Sequence, residues 1–230
     1  MAHALRYLIF ALCSCGVLSA AEPTPAGAQA VRFTVFSPRA VNGLTFTPRP
    51  GQAPKHLVLY PTARSPRYDY FGAMPLRITD AQTNTVVAEA TVPREITSAL
   101  LLLVPLEPSP AAGLRYQSYV LDDTTARQPA GSLAIINFSG LELTGTLDGK
   151  PLLLTAGLNA ATPLGRSTAL TLRTTLKNRA YQAYAGNVEL GKNERALLLL
   201  LPPFYRGSLE VQSRLLIDAP GGVRGLGGRP

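Results

Sequence analysis

The sequence predicts an all-β protein, built as two tandem immunoglobulin-like (Greek-key) β-sandwich domains behind a cleaved signal peptide. Three observations predict it. Apolar and polar residues alternate with a period of two in several short segments, turn-forming residues separate those segments, and a series of leucine-rich anchors recurs at a nearly constant spacing.

The recurrence organises the rest of the reading. Ala99-Leu100-Leu101-Leu102-Leu103-Val104-Pro105 matches Ala196-Leu197-Leu198-Leu199-Leu200-Leu201-Pro202 at an offset of 97. Leu114-Arg115-Tyr116-Gln117-Ser118 matches Leu209-Glu210-Val211-Gln212-Ser213 at an offset of 95, and both continue through aliphatics to an aspartate, Asp122 or Asp218. Leu57-Val58-Leu59 lies on Leu152-Leu153-Leu154, and Leu76-Arg77-Ile78-Thr79 falls near Leu170-Thr171-Leu172-Arg173. Four anchors in one order imply a duplicated unit. Domain 1 is expected over 31–123 and domain 2, its repeat, over 132–218.

Alternation identifies the half-buried strands. Leu114, Tyr116, Ser118 and Val120 oppose Arg115, Gln117 and Tyr119, and Leu170, Leu172 and Leu176 oppose Thr171, Arg173 and Thr175. Asp148-Gly149 between two apolar runs reads as a hairpin turn, and Asn42-Gly43 and Ala185-Gly186-Asn187 read as similar turns. The leucine runs themselves do not alternate. Each is about six residues long and closed by a proline, which favours a strand buried on both faces over a helix too short to be stable.

The first unit thus carries seven expected strands, near 31–37, 44–47, 56–60, 75–79, 85–92, 98–104 and 114–121. Seven short strands in this length suggest an immunoglobulin-like sandwich as an architecture class, with a jelly roll or another Greek-key sandwich as alternatives. Residues 22–30 are expected to be flexible, 124–131 to form a linker, and 219–230, with five glycines, a disordered tail.

The N-terminus reads as an export address. Arg6 supplies a positive start, residues 7–18 are apolar, and Ser19-Ala20-Ala21 offers a cleavage site, so 1–21 is expected to be a signal peptide. An apolar stretch of about 12 residues falls short of the roughly 20 that span a bilayer as a helix, and the mature chain holds no longer one. The competing reading is a lipoprotein, with Leu12-Cys13-Ser14-Cys15-Gly16 as an approximate lipobox and Cys15 as the lipidated residue. Both cysteines lie here, so cleavage near Ala21 leaves a mature chain without disulfide or thiol chemistry.

The net charge is +8, or +7 without Arg6, from 21 basic and 14 acidic residues, and the positive charges are scattered. No basic stripe interleaved with aromatics marks a nucleic-acid track, so nucleic acid is not an expected partner. Beyond the signal segment one histidine remains, His56; a Ser-His-Asp triad would have to use it, nothing like Gly-x-Ser-x-Gly accompanies it, and a convincing set of zinc ligands is lacking. No cofactor is expected. Asp122-Asp123 is the only adjacent acid pair, and at a strand end such pairs are usually turn caps. Asn137-Phe138-Ser139 is formally a glycosylation sequon, in a segment expected to be buried.

One segment resembles a contact surface. Residues 60–71 are read as a long inter-strand loop carrying Arg64, Arg67, Tyr68, Tyr70 and Phe71, residue types that combine apolar area with directional hydrogen bonds. The competing reading packs those tyrosines over the end of the sandwich. The matching stretch of the second unit, 157–165, is read as a plainer loop. The function expected from all this is a non-enzymatic, exported binding or structural protein of the cell envelope, periplasmic or secreted, with an unknown protein or glycan partner. The alternatives are a carbohydrate-binding or chaperone-like assembly component and, third, a hydrolase using surface carboxylates.

Overall fold

The computed structural model describes residues 27–108 and 113–219. The expected signal peptide with Cys13 and Cys15, the start of the expected flexible segment and all of the tail beyond Ala219 lie outside the described residues. The described chain is all-β, with sixteen strands in four four-stranded sheets and no helix.

The first eight strands are β1 (Gln29–Phe36), β2 (Leu44–Phe46), β3 (Lys55–His56), β4 (Tyr68–Gly72), β5 (Leu76–Asp80), β6 (Val86–Ala90), β7 (Ser98–Pro105) and β8 (Tyr116–Asp122). The second eight are β9 (Ser132–Asn137), β10 (Leu143–Leu147), β11 (Lys150–Leu154), β12 (Gly157–Pro163), β13 (Ser167–Leu176), β14 (Arg179–Glu189), β15 (Arg195–Leu201) and β16 (Gln212–Asp218). The first unit pairs β4-β1-β7-β8 in one sheet and β3-β2-β5-β6 in the other. The second pairs β12-β9-β15-β16 and β11-β10-β13-β14, the same order with every number raised by eight. The leucine-rich β7 and β15 sit at the same place in their sheets, each parallel to the first strand of its unit and antiparallel to the last.

Each unit therefore holds eight strands where seven were expected in the first. The added strand is β4, inside the segment read as a loop. The alternation of Tyr68 and Tyr70 around Asp69 suits a strand, and residues 68–72 pair with β1 from Phe33↔Tyr68 to Gln29↔Gly72. The stretch 157–165, also read as a loop, is mostly strand β12. Strand β1 begins at Gln29, two residues before the expected start of domain 1 at 31.

The turns divide in the same way. Asp148 and Gly149 take φ of 51° and 74° and close the β10–β11 hairpin between Leu147 and Lys150. Two positive φ values match the twist of the flanking strands, as expected. Gly186, read as a turn, instead lies inside β14 opposite Leu170. The β13–β14 turn is Lys177-Asn178, with φ of 49° and 60°. Asn42-Gly43 joins strands of different sheets rather than a hairpin.

Three apolar layers hold the four sheets together. Phe33, Phe46 and Tyr68 anchor the first, where the ring of Phe33 lies 5.1 Å from that of Phe46 and 5.6 Å from that of Tyr68. Leu133, Leu143, Leu170, Leu172 and Leu198 belong to the matching layer of the second unit. The remaining layer joins the units. Leu100 and Leu102 meet Leu197 and Leu199 there, together with Phe36, Ala134, Ile136 and Leu216. Alternate residues of β7 accordingly face opposite ways, Ala99, Leu101 and Leu103 into their own sandwich and Leu100 and Leu102 into the partner unit. That is why the leucine runs do not alternate. Burying one such leucine contributes about 1.5–3 kcal/mol, and both faces of β7 and β15 collect it.

The two units also approach each other on both flanks of the shared layer. On one flank Leu121 of β8 shares a cavity wall with Leu158 and Ala161 of β12. On the other, Pro38, which follows β1, and Pro61 of the β3–β4 connection line a second cavity with Ser213 and Leu215 of β16. Since β12 corresponds to β4 and β16 to β8 in strand order, the two flanks are counterparts.

Candidate functional site: the cleft and ion cluster between the units

Where the chain passes from β8 to β9, four charged side chains converge. Arg195 opens β15 directly opposite Asp218 at the end of β16, and Asp123 follows the last residue of β8. Arg64 arrives from the β3–β4 connection, which Ser65 fastens to β1 twice: the Val35 amide donates to Ser65 Oγ at 2.7 Å, and the Ser65 amide donates to the Val35 carbonyl at 2.8 Å.

Arg195 Nη2 donates to Asp123 Oδ1 at 2.9 Å and to Asp218 Oδ2 at 3.0 Å. Its Nη1 donates to the Asp123 and Gln128 carbonyls, both at 3.1 Å. Arg64 Nη1 donates to the same Asp123 Oδ1 at 2.6 Å and lies 3.5 Å from Asp218 Oδ2. Gln128 Nε2 completes the set by donating to the Ala196 carbonyl at 2.5 Å. The side chains of Arg195, Asp123 and Arg64 are 1%, 5% and 6% exposed. Two positive and two negative charges balance, as burial of ions requires. The expected linker is thus bonded along its length to the second unit, down to Gly131 N on the Glu194 carbonyl at 2.7 Å.

Beside this cluster a cavity of about 550 Å³ opens between the units. Leu100, Leu121, Ala134, Leu158, Ala161 and Leu197 make its apolar walls, and Arg64, Asp122, Arg127 and Asn159 add polar groups. Asp122 Oδ1 accepts from the Thr124 amide at 3.0 Å, and Arg127 Nε lies 3.6 Å from Asp122 Oδ2. Arg64 Nε and Nη2 have no hydrogen-bond partner although they are buried. An apolar chamber with a few converging polar groups is the usual form of a small-molecule site.

The residues singled out in the sequence do not form one exposed surface. Arg64 is buried in the ion cluster, and Tyr68 packs in the core with its hydroxyl accepting from the Val58 amide at 2.8 Å. Burial pushes the Tyr68 phenol above its ordinary range, against the opposing effect of that amide. Tyr70 is half-buried and folds over Gly72, donating to the Ala73 carbonyl at 2.5 Å. Phe71 is half-buried too, and its amide donates to the Pro48 carbonyl at 2.8 Å. Arg67 alone is exposed. The sequence leaves these aromatics either on a contact loop or packed over the sandwich end; in the structure 68–72 is strand β4, with Tyr68 in the core and Tyr70 packed against it.

His56 is an exposed residue of the short strand β3. Asn137 is buried, donating to the Leu141 carbonyl at 3.0 Å and accepting from Ser139 Oγ at 2.6 Å, so the sequon asparagine is committed inside the fold. Arg195 escaped the sequence reading altogether. It stands next to a leucine run, where a lone cation reads as a strand end, and its partner Asp123 is 72 positions away.

Among the described residues no three His, Cys, Asp or Glu side chains are arranged to hold a metal ion, and no helix is long and apolar enough to cross a membrane. No protein-family model matches this chain, and no curated protein matches it in sequence.

Proposed function

We propose that the chain is an exported, non-enzymatic binding protein of the cell envelope, whose ligand or partner enters the cleft between its two units. The observation that carries the reading is the cavity of about 550 Å³ with apolar walls and the unpartnered Arg64 donors beside it. Export is inferred from Arg6, the apolar stretch 7–18 and the small residues at 19–21. We take residues 31–123 and 132–218 as two domains related by duplication, a reading supported by the shared strand order. Each is immunoglobulin-like as an architecture class. Its eighth strand and its parallel first and seventh strands set it apart from the seven-stranded antiparallel arrangement.

Two measurements test the proposal. Mass spectrometry of the exported protein should find a chain beginning near Ala21 or Glu22, and a start at lipidated Cys15 would replace the signal-peptide reading with the lipoprotein one. The tagged mature protein should retain a ligand or partner that Ala126→Phe, which narrows the cavity from the exposed linker side, releases without lowering Tm. If the folded variant keeps everything the parent keeps, the cleft is not the binding site.

A further inference from the structure

The end of the second unit away from the ion cluster presents a different chemistry. The β15–β16 connection spans 202–211, well beyond the usual two to five residues of a hairpin. Pro202 and Pro203 stiffen its start, and Phe204 and Tyr205 follow with 73% and 71% of their surface exposed. The Gln212 side chain donates to the Pro202 carbonyl at 2.8 Å, and the Val211 amide donates to the Ala183 carbonyl at 3.0 Å. These bonds fasten the base of the loop beside β14. The Lys177-Asn178 turn of β13–β14 therefore lies at the same end, with exposed Leu176, Lys177 and Arg179.

We propose that this end docks on an anionic lipid surface, with Phe204 and Tyr205 entering the headgroup region and Lys177, Arg179 and Arg206 facing lipid phosphates. Among the described residues none of these three cations has an ion pair, and the acids nearest in the chain are Glu189, ten residues after Arg179, and Glu210, four after Arg206. Aromatic residues backed by cations are the composition that favours the membrane–water boundary. A glycan platform fits less well. The two rings stand at 80° to each other with centroids 4.9 Å apart, so they offer no continuous flat face for a sugar. The inference is independent of the cleft.

The chain has no tryptophan, so Phe204→Trp introduces a single reporter at the proposed contact. With vesicles containing about 30% phosphatidylglycerol, its emission should shift to the blue and be quenched by brominated acyl chains, and vesicles of phosphatidylcholine alone should leave it unchanged. Phe204→Ser with Tyr205→Ser should reduce co-sedimentation of the otherwise native protein with the anionic vesicles at least about tenfold. Lys177→Gln, Arg179→Gln and Arg206→Gln together should abolish the dependence on phosphatidylglycerol. Because all of these residues are exposed, Tm should stay within a degree or two of the parent. Absence of binding to anionic vesicles overturns the proposal, and so does binding in which the reporter at 204 stays in water.

Discussion

Arg195 Nη2 lies 2.9 Å from Asp123 Oδ1, so the residue that follows the last strand of one unit is bonded to a cation that opens an inner strand of the other. Asp123 follows β8 and Asp218 ends β16, the strand at the same place in its sheet, and Arg195 takes both. The corresponding position opposite Asp123 in the first unit is Ser98, whose carbonyl accepts the Asp123 amide at 2.9 Å. The likeness of the two units is thus broken at this point by a single charged residue, which bonds to the linker and both aspartates from the start of β15.

Removing that residue should be costly. Arg195→Met leaves buried Asp123 and half-buried Asp218 with Arg64 as their one remaining cation, and unfolding in urea should show a loss of about 3–5 kcal/mol. Arg195→Lys should recover little, because a single ammonium cannot reproduce donors to two carboxylates and two carbonyls. A loss below 1 kcal/mol would show that the cluster contributes geometry and little energy.

The β3–β4 connection offers an internal comparison. Arg64→Ala should destabilise by about 2–4 kcal/mol, since it strips one partner from a buried pair, whereas Arg67→Ala, at an exposed position, should change stability by less than about 0.5 kcal/mol. Tyr68→Ala should cost about 3–5 kcal/mol through loss of core packing against Phe33 and Phe46. Equal effects at 64 and 67 would contradict the buried placement of Arg64.

Acid should act through Asp80. Its carboxylate accepts from Arg115 first of all, then from the Thr83 and Gln82 amides at 3.1 and 2.8 Å, and together they lower its pKa from 3.8 to about 2. The unfolded chain binds this proton more readily, so the stabilisation is complete above pH 4 and is lost as the pH falls from 4 through 2. The Tm difference between the parent and Asp80→Asn should be constant from pH 7 to pH 5 and shrink below pH 4. A difference that holds to pH 2 would rule out the Arg115 contact as its source.

Gly145 tests the closeness of β10 and β13. A Cβ built there would sit 1.9 Å from the Thr171 carbonyl oxygen, a backbone atom that cannot turn aside. Gly145→Ala should therefore destabilise by at least about 2 kcal/mol by forcing the strands apart, and amide exchange should accelerate along β13 before β15.

Much of this architecture was legible in the residues because it depends on local pattern. The period of two in 114–121 places Tyr116 and Val120 toward the first core, as found. Asp148-Gly149 announced its turn because both residues tolerate positive φ, while Lys177-Asn178 did not, since lysine carries no such signal. The leucine runs declared themselves buried on both sides by failing to alternate. What the sequence could not say was what lay on the second side. Leu100 and Leu102 would read the same against a third sheet, a second copy or another part of the chain, because burial is non-directional and only the assembled layers select a neighbour. The charged cluster belonged wholly to the tertiary structure for the opposite reason. A buried ion pair is specific in space but leaves no period in the chain, so Arg64, Asp123, Arg195 and Asp218 become one site only when both sandwiches are folded and face to face.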